Sequence, residues 1–138
     1  MAEGQFKGLI QVYTGDGKGK TTAALGQALR ASAQGLSVIF IQFLKTQRGG
    51  ENFFADKYKP FEIIQFGKGD LFKKDEEEIL RETRGAYDYA VNALTGGKYD
   101  MVVLDEIFIA HWRGLISLPQ ILDPVSYTHL TLPTKRIV

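Results

Sequence analysis

Short apolar runs alternate with segments of helical periodicity along this chain. Four runs rich in β-branched, aromatic and other apolar residues predict strands: residues 9–13, 37–43, 61–66 and 100–107. Between them, alanine-rich or amphipathic patterns predict helices over residues 20–34 and 74–94. Because strand and helix patterns alternate, the chain is expected to form an α/β fold with a mainly parallel sheet flanked by helices.

The predicted helices carry typical terminal residues. Gly35 follows the first helix, where glycine commonly adopts the left-handed conformation that ends a helix. Four carboxylates at residues 75–78 open the second long helix and favour its dipole. Gly96 and Gly97 follow its last turn and end it.

Composition places the chain among ordinary globular domains. It has 138 residues, of which 44% are hydrophobic and 24% charged, enough for one hydrophobic core. A net charge of +1 lacks the basic excess of nucleic-acid-binding proteins. Without cysteine, a disulfide scaffold and thiolate catalysis are excluded, and we expect a cytoplasmic protein. We see no secretion signal, and the longest apolar stretch, residues 36–44, is too short to span a membrane.

A glycine-rich segment follows the first predicted strand and opens the first predicted helix, as in a phosphate-binding P-loop. Its residues are Thr14, Gly15, Asp16, Gly17, Lys18, Gly19, Lys20, Thr21 and Thr22. Glycines let backbone N–H groups surround phosphate oxygens, and the helix start adds positive charge. Lys20 is expected to reach the terminal phosphates, and the Thr21 hydroxyl to bind Mg²⁺. The usual motif has glycine in place of Thr14, so a glycine turn without a ligand is the alternative.

The last predicted strand ends in an acidic pair. Residues 101–104 are apolar, and Asp105 and Glu106 follow them, as in a Walker B segment. At the carboxyl end of a buried strand, Asp105 would lie beside the phosphate loop and offer an oxygen ligand to a metal ion. A solvent-facing acidic strand end is the alternative, but the preceding P-loop favours the metal site.

The P-loop, with its threonine at position 14, resembles that of the P-loop type of ATP:corrinoid adenosyltransferase. Residues 99–107 resemble that family's Walker B segment, and residues 38–45 with Gly50 and Glu51 resemble its second strand and the following loop. The similarity extends from about Gly8 to Leu122. It implies a RecA-like P-loop fold.

The resemblance also implies a reaction. The family transfers the 5′-deoxyadenosyl group of ATP to the Co(I) centre of a reduced corrinoid and releases triphosphate, in adenosylcobalamin biosynthesis or salvage. By this resemblance Lys20, Thr21 and Glu106 are catalytic, and Thr21, Asp105 and Glu106 hold Mg²⁺ or Mn²⁺. ATP and the corrinoid would be substrates. A homodimer and an electron-donating reductase are the protein partners implied, with neither nucleic acid nor membrane.

The corrinoid side of the site is less defined. Residues 67–72 resemble an aromatic-rich family segment in which tryptophan is frequent, and this chain has Leu71 and Phe72 there. Phe72 would pack against the corrin, or alternatively against the protein core. His111 is expected to be structural, since the implied chemistry transfers no proton there. Three charged residues form either a loop that closes over the substrates or a solvated surface: Lys45, Arg48 and Glu51.

The sequence changes character at Val125. Residues 125–134 have no acidic residue and no helical period, and they predict a strand followed by a turn. They resemble the translation of a transposase-end adaptor used in sequencing libraries. We therefore expect residues 1–124 to be an incomplete adenosyltransferase domain and residues 125–138 a non-native tail; a divergent native C-terminus is the alternative. An incomplete sheet would leave four apolar residues partly uncovered: Ile39, Ile41, Val102 and Leu104.

Two other functions remain open from the sequence. A P-loop kinase or ATPase would act at the γ-phosphate and produce ADP. A nucleotide-binding fragment without turnover would bind MgATP and form no product with reduced corrinoid.

Overall fold

A computed structural model describes residues 8–15, 18–67, 69 and 73–131, with side chains up to Val125. Its elements, in chain order, are α1 (Lys20–Ala33), β1 (Val38–Gln42), α2 (Gly50–Tyr58), β2 (Glu62–Gln65), α3 (Glu76–Thr95), β3 (Met101–Asp105), α4 (Ile107–Trp112) and α5 (Leu118–Thr131). Within these residues, none of the helices is long and apolar enough to cross a lipid bilayer.

The three strands form one parallel sheet in the order β2-β1-β3. The central strand, β1, pairs in register with both neighbours, so that Ile41 lies between Ile64 of β2 and Leu104 of β3. The chain runs from β1 to the strand on one side and then crosses back to the other side. The predicted α/β class is confirmed, and the arrangement is consistent with a RecA-like P-loop fold.

Alternate residues of the strands build two hydrophobic cores, because successive side chains of a strand point to opposite faces. On one face Val38, Phe40, Met101 and Val103 pack against the alanines of α1. On the other face lie the four residues expected to be uncovered: Ile39, Ile41, Val102 and Leu104. That expectation is wrong. All four are at most 2% exposed, since side chains of α3, α4 and α5 cover this face.

The helix ends follow the signals in the sequence. Gly35 has φ +86°, and the N–H groups of Gly35 and Leu36 donate to the carbonyls of Ser32 and Ala31, which closes α1 with a Schellman motif. At the start of α3, the Asp75 carboxylate accepts a 2.8 Å hydrogen bond from the N–H of Glu78. The predicted limits of both long helices are therefore close to those observed.

Two strand predictions need correction. Residues 9–13 form no strand and make no ladder with the sheet, although Ile10 and Tyr13 pack against the two cores. Leu9 and Val12, in the same segment, are half exposed. At the other end of the chain, β3 stops at Asp105, because Glu106 has φ +66° and turns the backbone into α4 at Ile107.

The predicted strand after Val125 is also wrong as far as the structure describes this region. The backbone of α5 stays helical from Leu118 to Thr131, and Pro124 lies inside the helix. Val125 is buried in the core that contains α3. The division of the chain into residues 1–124 and a tail at 125–138 stays a prediction.

Candidate functional site

The site lies at the carboxyl edge of the sheet, where two rows of alternating side chains change from apolar to polar. Along β1, Val38 and Phe40 face α1, and the next residue in that row is Gln42. Along β3, Met101 and Val103 face α1, and the next residue is Asp105. Gln42 and Asp105 are partners in the parallel register, and both are buried. The pleat therefore directs both polar side chains towards the start of α1.

Thr21, in the first turn of α1, contacts the end of β3. Its hydroxyl lies 3.0 Å and 3.2 Å from the two carboxylate oxygens of Asp105 and donates to them. Burial raises the pKa of Asp105 to about 6, while the hydrogen bond from Thr21 opposes this shift and the nearby charge of Glu106 adds to it. The contact joins the P-loop helix to the Walker B strand, as the sequence predicted.

Glycines shape the part of the phosphate loop that is described. Gly15 has φ +128° and Gly19 has φ +104°, backbone conformations that residues with a Cβ rarely adopt. The ammonium of Lys20 donates a 2.7 Å hydrogen bond to the Gly15 carbonyl across the loop. The loop is thus bent back over the start of α1. Two further predicted loop residues, Asp16 and Gly17, lie outside the described residues.

A cavity of about 300 Å³ opens beside this loop. Its lining combines the loop and acidic residues Thr14, Gly15, Lys20, Asp105 and Glu106 with the apolar or aromatic residues Tyr13, Phe108 and Ile109. The structure thus brings five of the predicted site residues to one cavity, and Thr21 contacts one of them, Asp105. Thr22 instead lines a separate groove between α1 and α2, together with Leu25 and Phe54.

The donor set suits a Mg²⁺ ion that is shared with a nucleotide. A hydroxyl and a carboxylate converge at Thr21 and Asp105, and both present the oxygen ligands that Mg²⁺ prefers. Among the described residues, no three acidic or histidine side chains form a metal-binding cluster by themselves. Few protein ligands are expected for this ion, because phosphates and water supply the others. Glu106 lines the same cavity and would add a carboxylate.

A buried polar network beside the site escaped the sequence analysis. The Gln42 amide donates to Glu51 at 3.0 Å and accepts from the Asn52 amide at 3.0 Å. Lys45 also donates to Glu51, at 3.1 Å. The sequence does contain a signal for this network: Gln42 interrupts an otherwise apolar strand, and a buried glutamine requires hydrogen-bond partners. The charged loop at residues 45–51 is therefore anchored to the sheet.

Other candidate residues lie apart from this arrangement. His111 has its Nδ1 atom 2.8 Å from the carbonyl oxygen of Ile116, a local contact that fits the expected structural role. Arg48 pairs with Asp56, lies over the ring of Phe53 and donates a 3.3 Å hydrogen bond to the Asn52 carbonyl oxygen. Phe72, the residue predicted to contact the corrin, lies outside the described residues.

Comparison with known proteins agrees with the resemblance found in the sequence. The family model "ATP:corrinoid adenosyltransferase BtuR/CobO/CobP" matches residues 6–132. The corrinoid adenosyltransferase of Pseudomonas aeruginosa is 30% identical over 122 residues, which are 86% of this chain and 60% of that protein. That of Escherichia coli K12 is 38% identical, over 73% of this chain and 52% of that protein.

A third relative, the corrinoid adenosyltransferase of a Sinorhizobium species, is 35% identical over 94% of this chain and 65% of its own length. The chain thus spans between half and two thirds of the length of these curated relatives. The matched residues include the P-loop, the three strands and the acidic pair at the end of β3. This chain belongs to the ATP:corrinoid adenosyltransferase family.

Proposed function

We propose that this chain binds ATP and transfers its 5′-deoxyadenosyl group to the cobalt of a reduced corrinoid. The observation that carries the proposal is the contact between Thr21 and Asp105 beside Lys20, in a member of this family. Lys20 and Asp105 line one cavity, and the Thr21 hydroxyl contacts Asp105, so a cation for phosphates and two oxygen ligands for a metal ion lie close together.

The proposed reaction places its nucleophile on the substrate. The electron pair of Co(I) attacks C5′ of ATP, a cobalt–carbon bond forms, and the C5′–oxygen bond breaks as triphosphate leaves. Cobalt is thereby oxidised from Co(I) to Co(III). The protein needs no serine, cysteine or histidine nucleophile, and its task is to orient ATP and to stabilise the charge on the leaving triphosphate.

The described residues divide this task. Lys20 and the amides around Gly19 would neutralise the triphosphate at the start of α1. Thr21 and Asp105 would hold Mg²⁺, with Glu106 beside them; when bound, the ion supplies positive charge to the phosphate oxygens. The apolar wall formed by Phe108 and Ile109 would exclude water from one side of the cavity.

The remaining parts of the proposal come from the family resemblance. Phe72 would contact the corrin, a reductase would supply the electron that generates Co(I), and the enzyme would act as a homodimer. A reducing cytoplasm would suit both the Co(I) substrate and a chain without cysteine. Both biosynthesis and salvage of adenosylcobalamin use this chemistry.

The test supplies MgATP and chemically reduced corrinoid to the protein. We expect the corrin absorbance to change to that of the alkylated cobalt and triphosphate to form. Lys20→Ala should abolish product formation, whereas Lys57→Ala, at an exposed position of α2, should not. The Pseudomonas aeruginosa relative serves as the positive control. ADP as the sole product would indicate attack at the γ-phosphate, and MgATP binding without product would indicate a fragment without turnover; either result contradicts the proposal.

A further inference from the structure

Three features distinguish the backbone at Lys45: an uncommon conformation before it, a side-chain hydrogen bond and a close backbone contact. Leu44, directly before it, has φ +55°, an uncommon conformation for a residue with a bulky side chain. The Gln65 side chain donates a 2.9 Å hydrogen bond to the Lys45 carbonyl oxygen. Gly67, at φ +131°, passes so close that a Cβ there would lie 2.6 Å from the same oxygen. Strained backbone with this much support is typical of functional segments.

The side chain of Lys45 is oriented as well. Its ammonium lies 3.1 Å from Glu51, whose same carboxylate oxygen accepts from Gln42 at 3.0 Å. Gln42 has no exposed surface, and Asn52, which donates to it, is 4% exposed. Burial alone would raise the pKa of Glu51, but hydrogen bonds from its own backbone, Lys45 and Gln42 lower it, so the carboxylate stays charged.

This network borders the nucleotide site. Gln42, at its centre, is the register partner of Asp105 on the neighbouring strand, where adjacent parallel strands lie about 5 Å apart. The loop that carries Lys45 leaves the sheet at this same edge.

We propose that Lys45 is a second polyphosphate-binding cation, carried by the loop that leaves the same edge of the sheet as Asp105 and positioned by Gln42, Glu51 and Asn52. Glu51 accepts one of the three N–H donors of the ammonium, and the other donors would turn to phosphate oxygens. A stabilising surface ion pair is the competing explanation. Such pairs contribute little to stability and require neither a buried glutamine nor a strained backbone beside them.

The inference deepens the proposed function but rests only on its nucleotide-binding part. We would measure binding of MgATP, inorganic tripolyphosphate with Mg²⁺, and adenosine to four proteins by calorimetry: wild type, Lys45→Ala, Lys45→Arg and Lys57→Ala. Lys57→Ala is the matched control, because it removes an exposed lysine from α2, the helix that also carries Glu51. Unfolding temperatures of all four proteins report whether the fold is retained.

We expect Lys45→Ala to weaken binding of MgATP and tripolyphosphate about tenfold, as for loss of one charge-assisted hydrogen bond. Lys45→Arg should recover most of this loss, and Lys57→Ala should bind as wild type. Adenosine, which has no phosphate, should bind equally to all four. Wild-type affinity of Lys45→Ala for both phosphate ligands, or equal weakening by Lys57→Ala, would overturn the proposal. Because no corrinoid is present, failure of the adenosyl transfer assay would leave this result unaffected.

Discussion

Gln42 and Asp105 stand side by side on adjacent parallel strands, and both are buried although both are polar. Each has a partner from a different part of the chain: Asp105 binds Thr21 of the phosphate-loop helix, and Gln42 binds Glu51 of α2. The pair therefore links the expected metal side of the site to the loop that carries Lys45. Unpaired, either group would destabilise the sheet edge, because buried polar groups require hydrogen bonds.

The Thr21 hydroxyl should be needed for Mg²⁺-dependent binding of ATP. Thr21→Val keeps the shape of the side chain but removes the oxygen, and we expect the MgATP affinity to fall at least tenfold, about 1.4 kcal/mol. Thr21→Ser keeps the hydroxyl and should bind within a factor of about three of wild type. Titration calorimetry with and without Mg²⁺ measures both. Equal affinities of the valine and serine variants would contradict the assignment of this oxygen.

Asp105 should make the ligand-free protein less stable as the pH rises. Its pKa is about 6 in the folded protein, against the ordinary value of 3.8. The folded state therefore binds the proton more tightly, and this stabilisation is complete below pH 4 and lost as the pH passes through 6. Asp105→Asn should remove this dependence. Relative to wild type, its free energy of unfolding should be about 1 to 3 kcal/mol higher at pH 7.5 than at pH 4.

Denaturant unfolding of wild type and Asp105→Asn at the two pH values gives this difference. Asp88→Asn, at an exposed position of α3, is the control and should follow the wild-type curve. If Asp105→Asn unfolds with the same pH dependence as wild type, another titrating group causes that dependence. In the presence of MgATP the wild type should regain stability at pH 7.5 through binding to the folded state, and Asp105→Asn should not.

Two glycines next to or within α1 should respond oppositely to alanine. Gly26 lies inside the helix with open space around it, so Gly26→Ala should stabilise the protein by about 0.5 to 1 kcal/mol. Gly35 has φ +86°, where a Cβ is strained, and Gly35→Ala should cost about 1 to 2 kcal/mol. Thermal unfolding of the two variants measures the contrast. Destabilisation by Gly26→Ala would show that this position tolerates no side chain.

Phe40 should contribute far more to stability than the exposed phenylalanine of α2. It has no exposed surface and lies in the core between the sheet and α1, so Phe40→Ala should destabilise by about 3 to 5 kcal/mol. Phe53 is 57% exposed, and Phe53→Ala should cost less than about 1 kcal/mol. Chemical denaturation compares the two. Similar losses would mean that α2 buries Phe53 in solution.

Periodicity and glycine positions predicted most of the fold. The three strands of the sheet, the limits of α1 and α3, and the turn at Gly35 all follow local patterns, and the structure has them within a few residues. The strand predicted at residues 9–13 is wrong because an apolar pattern indicates buried side chains but not whether the backbone has a hydrogen-bonding partner. The predicted end of the last strand at Ile107 is wrong because the side-chain pattern does not indicate the positive φ of Glu106, which turns the backbone out of the sheet.

The candidate site was predicted in part. The P-loop and the acidic pair have fixed spacings within short segments, so Lys20, Thr21 and Asp105 could be named from the sequence. Their meeting across the chain depends on which face of β3 turns to α1, which the strand register decides. Gln42 and Glu51 were not predicted as partners, since their contact depends on how the loop after β1 folds back.

The strand order has a consequence for how such a site can change over time. The chain goes from the central strand β1 to β2 on one side and only later to β3 on the other. The cavity beside Asp105 opens at the edge of the sheet from which the loops after β1 and β3 leave, and open α/β sheets commonly bind ligands where the strand order reverses in this way. Either loop can lengthen or alter its residues without disturbing strand pairing. Replacing either loop would therefore change the phosphate contacts together with the substrate contacts, because the loop after β1 carries the proposed cation Lys45 and the turn after β3 carries Glu106.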